Sequence, residues 1–133
     1  MQNDSSASQR HNLKTTLNDQ ADLELAILVG SRARADATQD SDWDIAIRWK
    51  KSVTPVQQLG KTETLRRMLA KQLGQPEAKI DLIDLTSAGL AMRAVVAEEG
   101  VVLKGEDSLS WNHFLERTWR DLESYYWDDI YAA

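Results

Sequence analysis

Ten residues separate Gly30-Ser31 from Asp42-Trp43-Asp44, and each group adjoins an apolar run of strand length. A glycine at the end of a buried strand lets the backbone approach a ligand closely, and a helix starting there would turn free N–H groups and a positive dipole end toward phosphate oxygens. The Ser31 hydroxyl would add a donor. In the run Trp43 to Trp49, alternation puts Asp42, Asp44, Ala46 and Arg48 on one face and Trp43, Ile45, Ile47 and Trp49 on the other. Aspartate is a poor strand former, so two at i and i+2 point to a shared divalent cation. Magnesium ions bridged by such carboxylates neutralise a triphosphate, orient an attacking oxygen and stabilise departing pyrophosphate. The pattern therefore reads as a nucleoside-triphosphate and metal site. Either half alone is weak, because an exposed Asp pair is usually a solvated face and Gly-Ser is commonplace; the joint spacing carries the specificity. An EF-hand would use Asp40, Asp42 and Asp44, but Ile45 stands where that loop needs Gly and Lys51 where it needs Glu.

The span Gly30 to Ile47, GSRARADATQDSDWDIAI, resembles the signature of the DNA polymerase β-like nucleotidyltransferase superfamily, and more narrowly a minimal nucleotidyltransferase. The short chain and its GSRAR opening are similar to the MNT-domain antitoxins that pair with HEPT (HEPN-domain) toxins. The likeness extends from the first strand to about Val102, with the Gly-Ser and carboxylate motif its sharply specific part. Ala35 departs from it, since relatives commonly carry Gly there. The resemblance implies a third carboxylate on a later strand, and Lys79-Ile80-Asp81-Leu82-Ile83-Asp84-Leu85 offers two. Asp81 is chosen because it lies within the run and points away from Ile80 and Leu82, whereas Asp84 reads as a turn residue before Thr86-Ser87.

What the resemblance implies is a magnesium-dependent transfer of AMP from ATP to a hydroxyl, a tyrosine of the HEPT/HEPN ribonuclease toxin, which silences it. Asp42, Asp44 and Asp81 would be the catalytic and metal-binding residues, with two magnesium ions, and Asp81 would help deprotonate the acceptor. Gly30, Ser31 and Arg34 would bind the nucleotide. Arg32 and Arg34 both carry guanidinium forks suited to phosphate, and Arg34 is favoured because the resemblance places it near the nucleotide. His11 and His113 share no ligand spacing, and Lys50, Lys51 and Lys104 read as surface lysines. Two alternatives stand beside this reading: a non-catalytic antitoxin that covers the toxin, and a nucleotidyltransferase acting on a small molecule.

The elements that must position these residues follow from the hydrophobic pattern. Leu25 to Val29 is an uninterrupted apolar run, as in a strand buried on both faces. A polar, frayed start to about Gln9 precedes a short helix to about Asp19. Thr54-Pro55 starts a helix, whose stripe of Val56, Leu59, Leu65, Met68, Leu69 and Leu73 ends at Gly74. Ser87 caps a further helix through Glu98, burying Leu90, Met92, Val95 and Val96, before a strand from Val101 to Leu103. The expected order is α-β-α-β-α-β-α-β-α. The expected fold class is α/β (α+β-like): a mixed sheet of about four strands, helices mainly on one face and the carboxylate edge open. The last helix, about 110–131, carries Trp111, Phe114, Leu115, Trp119, Leu122, Tyr125, Tyr126, Trp127, Ile130 and Tyr131, more than one core stripe absorbs. That surplus suggests a partner interface, or contact between copies of this chain.

At 133 residues and 42% hydrophobic content, one domain spanning the chain is expected, with the acceptor held by a protein partner. A net charge of −5 argues against broad, phosphate-driven nucleic-acid binding. With no cysteine, disulfides and thiolate metal sites are excluded. MQNDSSASQR shows no apolar signal segment and no run is long enough to span a membrane, so a cytoplasmic protein is expected.

Overall fold

The computed structural model describes residues 2–131. Its four strands are β1 (Leu23–Val29), β2 (Trp43–Trp49), β3 (Ile80–Asp84) and β4 (Val101–Lys104), in the spatial order β3-β2-β1-β4. β1 runs antiparallel to both β2 and β4, and β2 runs parallel to β3. The helices are α1 (Gln2–Asn18), α2 (Ser31–Arg34), α3 (Pro55–Leu73), α4 (Leu90–Glu99) and α5 (Leu109–Tyr131), with a 3-10 turn at Glu77–Lys79. The order and the mixed α/β sheet are those expected. The parallel pair requires a long crossover, which α3 supplies.

Helix α3 is set by its ends. The Thr54 hydroxyl accepts from the Gln57 backbone N–H at 3.2 Å, and Gln57 Oε1 accepts from the Thr54 N–H at 3.0 Å, a closed capping box followed by Pro55. At the other end Gly74 takes the left-handed conformation, φ 63°, that a side chain would resist.

Helices cover both faces of the sheet, rather than mainly one. Leu13 and Leu17 of α1 and Leu65, Leu69 and Leu73 of α3 pack with Leu28, Trp43, Ile45 and Ile47. Val96 of α4 and Trp111 and Phe114 of α5 pack with Leu25, Ile27, Val29 and Ala46 on the opposite face. The apolar run of β1 required this, since a strand apolar on both sides must be covered on both.

Four local expectations are corrected. Helix α1 begins at Gln2, not after Gln9, because no Gly or Pro interrupts the segment and propagation from the packed turns at Leu13 and Leu17 is cheap once nucleated. Val56 and Leu59 are 79% and 72% exposed because they line an open groove with Ile47, Trp49 and Leu82, and α3 joins the core only from Leu65 onward. Ser87 does not cap α4, whose N-cap is Gly89. Asp84 Oδ1 instead accepts from the Thr86 N–H and hydroxyl at 2.9 and 2.7 Å, holding a turn that delays the helix. On α4, Val96 is buried while Met92 and Val95 stand partly in solvent.

Candidate functional site

β2 is central, and its first residues decide the site. Asp44 lies opposite Val29 in the β1 ladder and opposite Asp81 in the β3 ladder. In-register residues of a parallel pair project to the same side, so Asp44 and Asp81 share a face, the one lined further along by Ala46. Trp43 and Ile45 hold the other face in the core. Asp42 sits just before the strand, its half-exposed carboxylate 3.8 Å from the Lys79 ammonium. Asp84 occupies the far end of β3, opposite Ile47 and engaged in its own turn.

Gly30 follows β1 and faces Asp44 at close range. A Cβ there would stand 2.5 Å from Asp44 Oδ2, and φ is +74°, so both space and backbone conformation demand glycine. Its carbonyl accepts from the Ala33 and Arg34 N–H groups at 3.0 and 3.1 Å, which starts α2 at Ser31. Ala35 closes that turn at φ 64° with its N–H on Ser31 O, so this position keeps the left-handed shape with an alanine in it.

The charges around this turn are ordered. Burial, then the fields of Asp81 and Asp42, push the Asp44 carboxyl above its ordinary range, and Arg34 opposes them weakly. Arg34 itself reaches Asp36 at 3.4 Å and Glu99 of α4 at 3.5 Å. Arg32 turns the other way. Its guanidinium lies 4.4 Å over the Trp43 ring and donates to Ser41 O at 3.0 Å, and burial lowers its pKa. Arg10 of α1 donates to Arg32 O at 2.7 Å, tying the turn to the body of the protein.

Among the described residues, no three His, Cys, Asp or Glu side chains are already arranged to hold a metal ion. The donor set nevertheless fits a hard divalent cation. Asp44 and Asp81 stand in register across one ladder, and Asp42 precedes the same strand facing a cationic lysine. Such a set can bind a cation beside a turn whose first N–H groups lack helical partners. His11 and His113 take no part in this grouping: His113 lines a separate small cavity with Arg48, Arg93 and Arg117. A groove of about 410 Å³ between Trp49, Val56, Leu59 and Leu82 lies on the other face of the sheet and is not part of it.

Sequence reasoning missed Lys79 and Arg10 and left the role of Arg32 open. Lysine directly before the third-carboxylate strand was the one available signal; the Arg10 contact spans elements and leaves none.

Residues 11–109 match the family model "Polymerase beta, Nucleotidyltransferase". No curated protein matches the chain. Among solved structures, a toxin–antitoxin with AMP-PNP is similar at 24% identity and TM-score 0.66, over 91% of this chain and 94% of that one. A mutant of an MntA toxin–antitoxin is similar at 26% identity and TM-score 0.63, over 90% and 93%. A third, tri-AMPylated Shewanella oneidensis HEPN toxin in complex with MNT antitoxin, is similar at 22% identity and TM-score 0.62, over 94% and 95%.

Proposed function

We propose, because the chain belongs to the polymerase β nucleotidyltransferase family, that it is an antitoxin that transfers AMP from ATP to a tyrosine hydroxyl of a HEPT/HEPN ribonuclease toxin. The single observation that carries this reading is Asp44 set in register with Asp81 and packed against the Gly30 turn. Support also comes from the matched structures, one with AMP-PNP and one with a tri-AMPylated HEPN toxin.

In this reading Asp42, Asp44 and Asp81 hold Mg2+, whose charge neutralises the triphosphate and the departing pyrophosphate. Gly30 lets the phosphates approach the backbone, and the Ser31 hydroxyl with the Ser31 and Arg32 N–H groups donates to them. Arg34 exchanges its acidic neighbours for phosphate oxygens. The acceptor oxygen bonds to the α-phosphorus as the bond to pyrophosphate breaks, and the Asp81 carboxylate takes the hydroxyl proton. The whole chain acts as one domain, with the exposed end of α5 gripping the protein substrate.

A second reading, neutralisation by covering alone, is favoured by α5, where Tyr125, Tyr126, Trp127, Ile130 and Tyr131 are all more than half exposed. The Asp42→Asn/Asp44→Asn double variant separates the two in cells producing the toxin. Catalysis predicts that protection is lost while the variant still co-purifies with the toxin. Full protection by the double variant would establish covering as the mode of action.

A further inference from the structure

Three consecutive backbone carbonyls just before Asp42 are held by cationic side chains. Arg32 Nη2 donates to Gln39 O at 3.3 Å and to Ser41 O at 3.0 Å, and Lys79 Nζ donates to Asp40 O at 2.8 Å. The two cations come from opposite sides of the loop: Arg32 from α2 beside the Gly30 turn, Lys79 from the 3-10 turn that leads into β3 and Asp81. Each is anchored in turn. Arg32 lies over Trp43, the residue between the two aspartates, and Lys79 also faces the Asp42 carboxylate. The loop closes on itself through the Thr38 N–H on Ser41 Oγ at 2.9 Å and the Ser41 N–H on Thr38 O at 3.1 Å.

We infer that Arg32 and Lys79 are positioning residues that grip the Gln39–Ser41 carbonyls from two sides and so fix the Asp42 carboxylate relative to Asp44. The inference rests on the reading of these carboxylates as cation ligands. Asp44 is fixed by two strand ladders, whereas Asp42 lies outside the strand, where the preceding loop sets its place. Charge-assisted bonds to carbonyls are the strong class of hydrogen bond, and three in a row leave that loop little freedom. Arg32 Nη2 is thereby engaged by the loop.

The sign of the effect distinguishes positioning from simple electrostatics. Removing a positive charge beside a cation site tightens cation binding by Coulomb's law alone. Loss of a group that orients a ligand weakens it, typically ten- to a hundredfold. The test measures Mn2+ binding to the full chain without nucleotide, by calorimetry or by the spin-resonance signal of free Mn2+. It compares the wild type with Arg32→Met and Lys79→Met, and follows hydrogen exchange of the amides of residues 38–42 in the metal-free proteins. Lys79 is partly exposed, so its variant folds even if loss of the Arg32 stack proves disruptive. The expected result is Mn2+ affinity at least about tenfold weaker in each variant, with faster exchange in the loop. Unchanged or tighter binding in either folded variant overturns that residue's role. A wild type that binds no Mn2+ overturns the metal reading itself and this inference with it.

Discussion

Asp44 sits where its charged form is disfavoured. Its carboxyl is raised by burial and by Asp81 and Asp42, so its favourable contribution to stability is fully present only below the unfolded value near 4 and is lost as pH rises through the folded value. Asp44→Asn should therefore raise the melting temperature of metal-free protein at pH 7, by a few degrees or less given solvent screening, with no gain below about pH 4. A lower midpoint at pH 7, read by differential scanning fluorimetry in chelator, would refute this. Ala35 presents the opposite case, a side chain in the left-handed region at φ 64°. Ala35→Gly should stabilise by about 1 kcal/mol, read by denaturant unfolding, since the strain relieved exceeds the added chain entropy. At this scale the approach of Gly30 to Asp44 was legible because spacing and alternation place both, whereas a carboxylate on a later strand, Asp81, came from the family resemblance. The loop grip of Arg32 and Lys79 was not, because a side chain that bonds a carbonyl several residues or a whole element away leaves no periodic trace.

Helix α5 shows what an element can and cannot announce. Its aromatic surplus was readable, and so was its length, but the division between core and solvent was set by packing: Trp111, Phe114 and Thr118 are buried, and the residues beyond Asp121 project outward. Arg93 of α4 bonds Asp121 at 3.0 Å and marks where the helix leaves the domain. Ending the chain after Leu122 should thus shift the melting temperature by no more than about 2 °C, while toxin affinity falls by a factor of ten or more. A large stability loss would show that the aromatic turns pack on their own domain. Strands β1 and β2 were read closely because their patterns are strong. The start of α1 and the cap of α4 were not, because nucleation from Leu13 and Leu17 and the Asp84 turn are tertiary and local-competition effects that propensity does not encode.

Taken whole, the molecule is a four-stranded sheet covered by helices on both faces, with three acidic side chains grouped where β1 ends and β2 and β3 begin. No helix among the described residues is long and apolar enough to cross a membrane. The central claim is that this carboxylate grouping transfers AMP to a partner protein. Its most direct test is the intact mass of a HEPN-type toxin, the partner class proposed above, after incubation with the purified chain, ATP and Mg2+, with the Asp42→Asn/Asp44→Asn variant as control. Metal-dependent gains of about 329 Da, one AMP each, are expected on the toxin with wild type and none with the variant. An unchanged toxin mass in a stable complex with the wild-type chain would contradict it.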